Sequence, residues 1–430
     1  MTTSDSSRTG PRIYNLFPLL AGAFPRWKEH LERARAMEFD WVFLNPFHRA
    51  GYSRSLYSIA DYYQFDERLI DSSAGRPESQ FRQMLETTRG LGLRVMMDLV
   101  INHTAFDSPL LALHPTWYKR GRDGKPVHPS AREDNRVITW GDLFEIDNSK
   151  DRDGLWSYWT ALAEHYAEMG IRGFRCDAAY KLPSELWRTL IGRLKRTHSD
   201  TVFFAESLGC PFSETVRLAG CGFDFIFNSS KWWDFAAPWC LEQYRQTAPL
   251  VPSISFPESH DTARLAAELK GEREAVKMRY GFSAVFSTGV MMPIGFEYGF
   301  GRRLDVVETR PEDWEKPQWD ISGYIARVNR LKASRRVFNS EGPIETATID
   351  NPRVFAFVKW SPDRRERALV VINKDAGRQQ SFRLQSLGQF LAGAARVDDI
   401  SPDDSLQHSA DFQSAFVKPS AFHVIWATSA

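Results

Sequence analysis

Cysteine is scarce in this sequence. Four residues, Cys176, Cys210, Cys221 and Cys240, are spread through 430 positions without a C-x-x-C pair. That is too few for a disulfide scaffold or a thiolate zinc site, so they read as reduced, mostly buried thiols. Net charge is almost absent: 55 Lys plus Arg stand against 54 Asp plus Glu, which leaves no excess to draw the chain to nucleic acid or to an anionic membrane. No stretch approaches the roughly 18 uninterrupted apolar residues of a spanning helix. The opening MTTSDSSRTGPR also lacks the apolar segment of a secretory signal, so a cytoplasmic location is expected. Neither a solenoid-period repeat nor a low-complexity tract is visible.

What is present is ordinary globular composition, 43% hydrophobic and 25% charged, with aromatics at 13% including 14 Trp. Most such rings build a core, but flat apolar faces also suit the C–H faces of sugars. Short apolar runs alternate with amphipathic stretches from residue 13 to about 335, the pattern of repeated βα units. Eight strands are predicted: Ile13–Leu16, Trp41–Leu44, Val95–Leu99, Gly173–Cys176, Val202–Ala205, Phe223–Phe227, Ser253–Phe256 and Val290–Ile294. Helical patterns between them include Trp27–Met37, Glu78–Leu91, Leu155–Met169, Ser184–Thr197 and Glu272–Phe286. The fold class expected is therefore a (β/α)₈ barrel, residues 1–103 and 154–335, with an insertion at 104–153 after strand three. A C-terminal antiparallel β-sandwich takes residues 336–430, where turn-forming clusters separate short strands such as Val354–Trp360, Ala368–Asn373 and Ala421–Trp426.

Chemistry on such a barrel belongs at the C-terminal ends of the strands, where the βα loops converge. Strand three runs into Asp98 and then Asn102-His103, strand four ends at Arg175-Cys176-Asp177, strand five at Glu206, and strand seven leads into Glu258-Ser259-His260-Asp261. Carboxylates at such junctions also serve as helix caps. Several facing one mouth, with an arginine and two histidines, fit the paired carboxylates of glycoside cleavage, one attacking the anomeric carbon and one protonating the leaving oxygen.

The segments DLVINH, GFRCDAAYKLP, FFAES and FPESHD resemble, in order and spacing, the four motifs of the α-amylase superfamily, glycoside hydrolase family 13. SLYSIADYYQFD is similar to the family's stretch after strand two. This resemblance implies Asp177 as nucleophile, Glu206 as general acid/base and Asp261 as the carboxylate that stabilises the oxocarbenium-like state. Tyr57 would lie over the scissile sugar, and His103, His260 and Lys181 would bind substrate. Arg175, two residues before the nucleophile, would hold it ionised. Glu206 should have a raised pKa while Asp177 stays charged. A retaining route follows, through a covalent glycosyl-enzyme with carboxyl groups about 5 to 5.5 Å apart.

Within that superfamily HPTWYKRGRDGKP, DRDGLW, ETRPEDWEKPQWD and ISGYIARVNRLK look most like bacterial maltosyltransferases that build α-1,4-glucan from maltose 1-phosphate. Those enzymes carry an N-terminal domain that this sequence, beginning almost at strand one, does not show. They also place asparagine after the nucleophile where Ala178 stands here. The function expected is thus a retaining hydrolase or transglycosylase on α-1,4-glucans or maltooligosaccharides, with the maltosyltransferase as the alternative. A catalytically inactive carbohydrate-binding or regulatory homologue is the reading from another class, although such proteins usually lose one of the three carboxylates. A barrel with phosphate chemistry would use a glycine-rich loop after strand seven or eight, and GFEYGFGRR at 295–303 has that composition. No cofactor is expected, and no calcium, since Asn102 alone is not an oxygen cage.

Overall fold

The computed structural model describes residues 9–133, 136–383, 390–409 and 414–429. Eight parallel strands close into a barrel: β1 (Arg12–Leu16), β2 (Trp41–Leu44), β3 (Arg94–Leu99), β4 (Gly173–Cys176), β5 (Val202–Ala205), β6 (Phe225–Phe227), β7 (Ser253–Ser255) and β8 (Gly289–Pro293). Closure is made by β1 on β8, in register from Arg12↔Val290 to Asn15↔Pro293. Every residue of β1, β2, β4, β5, β7 and β8 is buried. Strands covered on both faces need apolar residues throughout, which is why these segments read as runs and not as alternations.

A helix follows each strand: α1 (Trp27–Ala36), α2 (Pro77–Gly90), α3 (Arg152–Met169), α4 (Ser184–Thr197), α5 (Phe212–Ala219), α6 (Trp239–Thr247), α7 (Arg273–Phe286) and α8 (Ser322–Ala333). In α4 the buried set Leu186, Trp187, Leu190, Ile191 and Leu194 marks a stripe at helical spacing that faces the sheet. Inside the barrel Ile13, Trp41, Phe43, Met96, Phe204, Ile254 and Met291 belong to one separate cluster. Its filling depends on Gly173, where an added Cβ would stand 2.7 Å from the Trp41 ring and 3.1 Å from Met96 Cβ. The interior is packed, so a binding site has to lie at the mouth.

Two loops at that mouth carry structure of their own. After β2, His48–Ala50 pairs with Ile59–Phe65, a hairpin that the sequence pattern does not announce. After β3, His103–Ala105 pairs with Leu143–Glu145, and Ser130–Glu133 with Arg136–Thr139. The helix after this insertion begins three residues before its predicted start at Leu155. Asp151 caps it by accepting from the Gly154 amide at 3.1 Å, so the polar Arg152-Asp153-Gly154 becomes its first turn.

The C-terminal strands are β9 (Ile344–Thr346), β10 (Val354–Trp360), β11 (Glu366–Asn373), β12 (Gln380–Arg383), β13 (Ala394–Asp399), β14 (Gln407–His408), β15 (Ser414–Val417) and β16 (Phe422–Ser429). They form a five-stranded sheet in the order β9-β10-β11-β16-β13 and a three-stranded sheet β12-β15-β14. Alternation along β10 sorts its side chains. Val354, Ala356 and Val358 pack with Phe382 and Val417 of the smaller sheet, whereas Phe355 and Phe357 pack with Phe282 and Phe286 of α7. At that seam two buried lysines meet the C-terminal carbonyls of α7. Lys332 donates to Ala284 and Ser287 oxygens at 2.9 Å each and to Phe338 at 2.5 Å. Lys359, from β10, donates to Phe286 at 2.8 Å. The four cysteines are free thiols, and among the described residues no helix is long and apolar enough to cross a membrane.

Candidate active site

Register places the charged residues of β3, β4 and β5 side by side. Arg175 lies opposite Asp98, and Cys176 opposite Ala205, which puts Asp177 and Glu206 together one step beyond the strand ends. Along β4, Arg175 turns inward over the Phe43 ring at 5.9 Å, while Cys176 turns into the core outside the barrel. One guanidinium nitrogen of Arg175 donates to both oxygens of Asp98 at 2.9 Å and to Asp177 Oδ1 at 2.7 Å. The second oxygen of Asp177 accepts from Asn102 Nδ2 at 3.1 Å. Burial alone would raise the pKa of Asp177, but Arg175, helped by His103 and Asn102, holds it below the ordinary value.

Glu206 goes the other way. Its Oε2 accepts from the Ala178 amide at 2.9 Å and its Oε1 from the Leu208 amide at 2.5 Å. Burial nevertheless dominates, and with the Asp177 charge nearby the carboxyl is pushed up to about 7. Ala178 holds a left-handed backbone, φ 41°, an unusual conformation for a residue with a Cβ. That turn aims its N–H at Glu206. Two carboxylates separated by one residue's backbone thus have opposite proton affinities, the division of labour that an acid and a nucleophile require.

Tyr57 is the hub of the opposite wall. Its hydroxyl donates to Asp98 Oδ2 at 2.6 Å and accepts from Asn45 Nδ2 at 3.1 Å. His260 Nε2 stands 2.7 Å from the same oxygen, with the two rings stacked at 9°. His103 Nε2 donates to the Tyr57 carbonyl at 3.0 Å. Burial lowers the pKa of both histidines, so they act as neutral hydrogen-bonding rings. Asp261 differs from its partners: its side chain is 55% exposed, with His260 Nε2 3.1 Å away. Its carbonyl is held by Arg303 Nη2 at 2.7 Å. Arg264, on the Asp261 loop, answers by donating to the Arg302 carbonyl at 3.1 Å and to Glu258 at 2.8 Å.

This arrangement has relatives. Residues 12–119 match the family model for the glycogen debranching enzyme, glucanotransferase domain. An α-1,4-glucan:maltose-1-phosphate maltosyltransferase of Burkholderia pseudomallei is 27% identical over 384 residues, covering 85% of this chain and 33% of that protein. One from Methylacidiphilum infernorum is 25% identical over 430 residues, covering 91% and 63%. The chain is similar to members of the α-amylase family. It resembles the maltosyltransferase branch but spans only a third to under two thirds of the length of these relatives. Among solved structures, the maltogenic α-amylase AmyB of Thermotoga neapolitana superposes with a TM-score of 0.75 at 21% identity, covering 98% of this chain and 99% of that one. An α-amylase from Lactobacillus plantarum gives 0.77 at 20% identity, covering 97% and 98%. These likenesses show the shared fold.

The barrel mouth brings together seven of the eight residues expected from sequence: Asp177, Glu206, Asp261, Tyr57, His103, Arg175 and His260. Lys181 is exposed at the edge of this group, its ammonium 5.8 Å from the ring of Trp140 in the insertion and its charge among those that lower the pKa of His103. Asn45, Asn102 and Arg303 were not assigned there. Asn45 follows the last residue of β2, so the strand-end rule that found the carboxylates would also have flagged it. Asn102, weighed only as a calcium ligand, instead donates to Asp177. The arginines of GFEYGFGRR are engaged, Arg302 with Asp313 at 2.5 Å and Arg303 with the Asp261 loop, and Glu297 in the same segment is buried against Arg33 at 2.8 Å.

Proposed function

We propose that this chain is a retaining α-glycoside hydrolase or transglycosylase acting on α-1,4-linked glucans or maltooligosaccharides. Asp177 is the nucleophile, Glu206 the acid/base and Asp261 the stabiliser of the oxocarbenium-like state. The observation that carries the reading is the split between neighbouring carboxylates: Asp177 is kept charged by Arg175 and Asn102, and Glu206 is pushed up to about 7. Glu206 protonates the leaving oxygen while Asp177 attacks the anomeric carbon. The resulting carboxylate of Glu206 then takes a proton from the incoming water or sugar hydroxyl, which displaces Asp177 and restores the α configuration. Tyr57, His103 and His260 bind the sugar being cleaved, and Lys181 with Trp140 receives the portion beyond it. The domain assignment proposed is a catalytic barrel of 1–103 and 154–335, an insertion of 104–153 and a β-sandwich of 336–430. Free thiols support a reducing, cytoplasmic setting.

Nuclear magnetic resonance of the first product tests the mechanism. Initial α-anomer is expected, and initial β-anomer refutes the double displacement. The maltosyltransferase relatives favour a second reading, transfer from maltose 1-phosphate. Ala178, lacking any side-chain donor, supports the phosphate-independent one. Maltooligosaccharides should be processed without phosphate, and rapid phosphate release with glucan elongation would decide for the second reading.

A further inference from the structure

Between β4 and α4 the chain is irregular, and its backbone carbonyls need donors that no strand or long helix supplies. Side chains of later helices supply them. Ala178, in its left-handed conformation, caps a single 3-10 turn, Ala179–Lys181. The Ala179 carbonyl accepts from Trp187 Nε1 of α4 at 2.9 Å. The carbonyls of Tyr180 and Leu182 both accept from Arg217 of α5, from Nη2 at 2.7 Å and from Nη1 at 3.4 Å. Nη1 also donates to Ser184 Oγ at 2.7 Å, and Nε to Glu214 at 2.8 Å. All three nitrogens of this half-buried guanidinium are engaged, and two of them hold the segment that follows the nucleophile.

Because α5 is the helix after Glu206, this fork ties the acid/base loop to the turn after Asp177. A second tie lies further in, where the Ala178 amide donates to Glu206. The turn faces the acid/base side of the mouth. Burial raises the Tyr180 hydroxyl to about 12, and Glu206, Cys210 and Asp177 add to the effect, so the phenol shares its space with both carboxylates. Lys181 comes next and faces Trp140 of the insertion. Since Glu206 serves the leaving oxygen, the sugar that departs, or the one that takes its place, has to lie against this turn.

We infer that Arg217 is a positioning residue: it fixes the turn at 178–181 as a wall that orients an incoming sugar hydroxyl, and thereby sets how much of the glycosyl-enzyme is resolved by sugar and how much by water. The inference rests on the function proposed above. In either route an O–H oxygen bonds to the anomeric carbon, its proton passes to the Glu206 carboxylate, and the ester bond to Asp177 breaks to return a carboxylate. Water needs only Glu206 beside it. A sugar must also be held in one orientation, and a wall free to move withdraws that orientation. Arg217 acts through the carbonyls it grips, and its planar fork spans sites that a lysine ammonium cannot bridge together.

The test loads the full chain with α-maltosyl fluoride, whose fluoride ion departs without a proton or a sugar-binding wall, and offers excess maltose as acceptor. Fluoride release reports formation of the glycosyl-enzyme and an intact fold. Maltotetraose formed per fluoride released gives the share passed to sugar. Both outcomes of the intermediate use Glu206, so their ratio isolates the wall from the acid/base. Arg217→Ala should keep fluoride release within about twofold and lower the ratio of transfer to hydrolysis about tenfold. Arg217→Lys should restore part of that ratio, since an ammonium can still reach one of the carbonyls. Fluoride release and tetrasaccharide falling together leave the ratio unchanged, as a merely structural role would, and overturn the inference. A wild type that releases fluoride but forms no tetrasaccharide overturns it too, while the proposed catalysis stands as hydrolysis. A wild type that releases no fluoride refutes the proposed function and the inference with it.

Discussion

The two sides of the barrel mouth hold their carboxylates by different means. On the side of β3, β4 and β5, Asp98, Asp177 and Glu206 are held by side-chain and amide hydrogen bonds, and one buried arginine sets the charge of Asp177. On the side of β7 and β8, the Asp261 carboxylate is more than half exposed, and the nearby arginine grips its backbone carbonyl. The first side tunes proton affinity and the second tunes position. A nucleophile and an acid need opposite ionisation at one pH, whereas a group that only faces developing positive charge needs to be placed.

That contrast can be broken most severely at Asp177, the proposed nucleophile. Asp177→Asn should keep the fold and lower turnover by about three orders of magnitude or more, because a carboxamide forms no glycosyl ester. Wild-type-like rates in a sample free of deamidation would remove Asp177 from the mechanism. Glu206→Gln should cost about two to three orders of magnitude on a natural glucan but far less on a glycosyl fluoride, whose leaving group needs no proton. Equal losses on both donors would give Glu206 another role.

Arg303→Ala sharpens the other half of the comparison. Loss of its bond to the Asp261 carbonyl should lower kcat about tenfold with little change in KM, and Arg303→Lys should restore part of it. The pH profile should not move, since Arg303 sets place and not charge; a shifted profile would erase the distinction. In the wild type, activity should fall as pH rises through about 7, where Glu206 loses the proton it must donate. It should fall again in acid below the ordinary carboxylate range, where Asp177 is finally protonated. Replacing Arg175 by Met should move that acid limb upward, measured as kcat/KM against pH.

Much of this was legible in the sequence because chemistry on a barrel gathers at and beyond the C-terminal ends of its strands. Asp177 and Glu206 directly follow the last residues of β4 and β5, Asp261 lies in the loop after β7, and β2, β4 and β5 fall where the apolar runs predict them. Features that depend on backbone bonds were not legible. The start of α3 rests on Asp151 folding back on Gly154, and the grip of Arg303 on Asp261 joins residues 42 apart through a carbonyl that carries no sequence identity. The Tyr57 hydroxyl hub was missed for a related reason. An aromatic in a sugar site suggests a stacking face, and the partners of its oxygen come from the ends of β2 and β3 and from the loop after β7, which only the closed barrel brings together.

The two lysines at the seam make unfolding a proton-consuming event. Burial depresses the pKa of Lys332 and brings Lys359 down to about 8, below the roughly 10.4 of an unfolded lysine. Between those values the unfolded chain binds more protons than the native one, so Lys359 makes stability climb as pH rises from about 8 to 10.4 and withdraws that contribution on the way down. Lys359 comes from the C-terminal sheet, while the carbonyl it satisfies ends a barrel helix. Melting of either part deprives the other of a buried partner. Calorimetry should therefore record one shared transition, with an apparent enthalpy that changes between alkaline buffers of different ionisation heat.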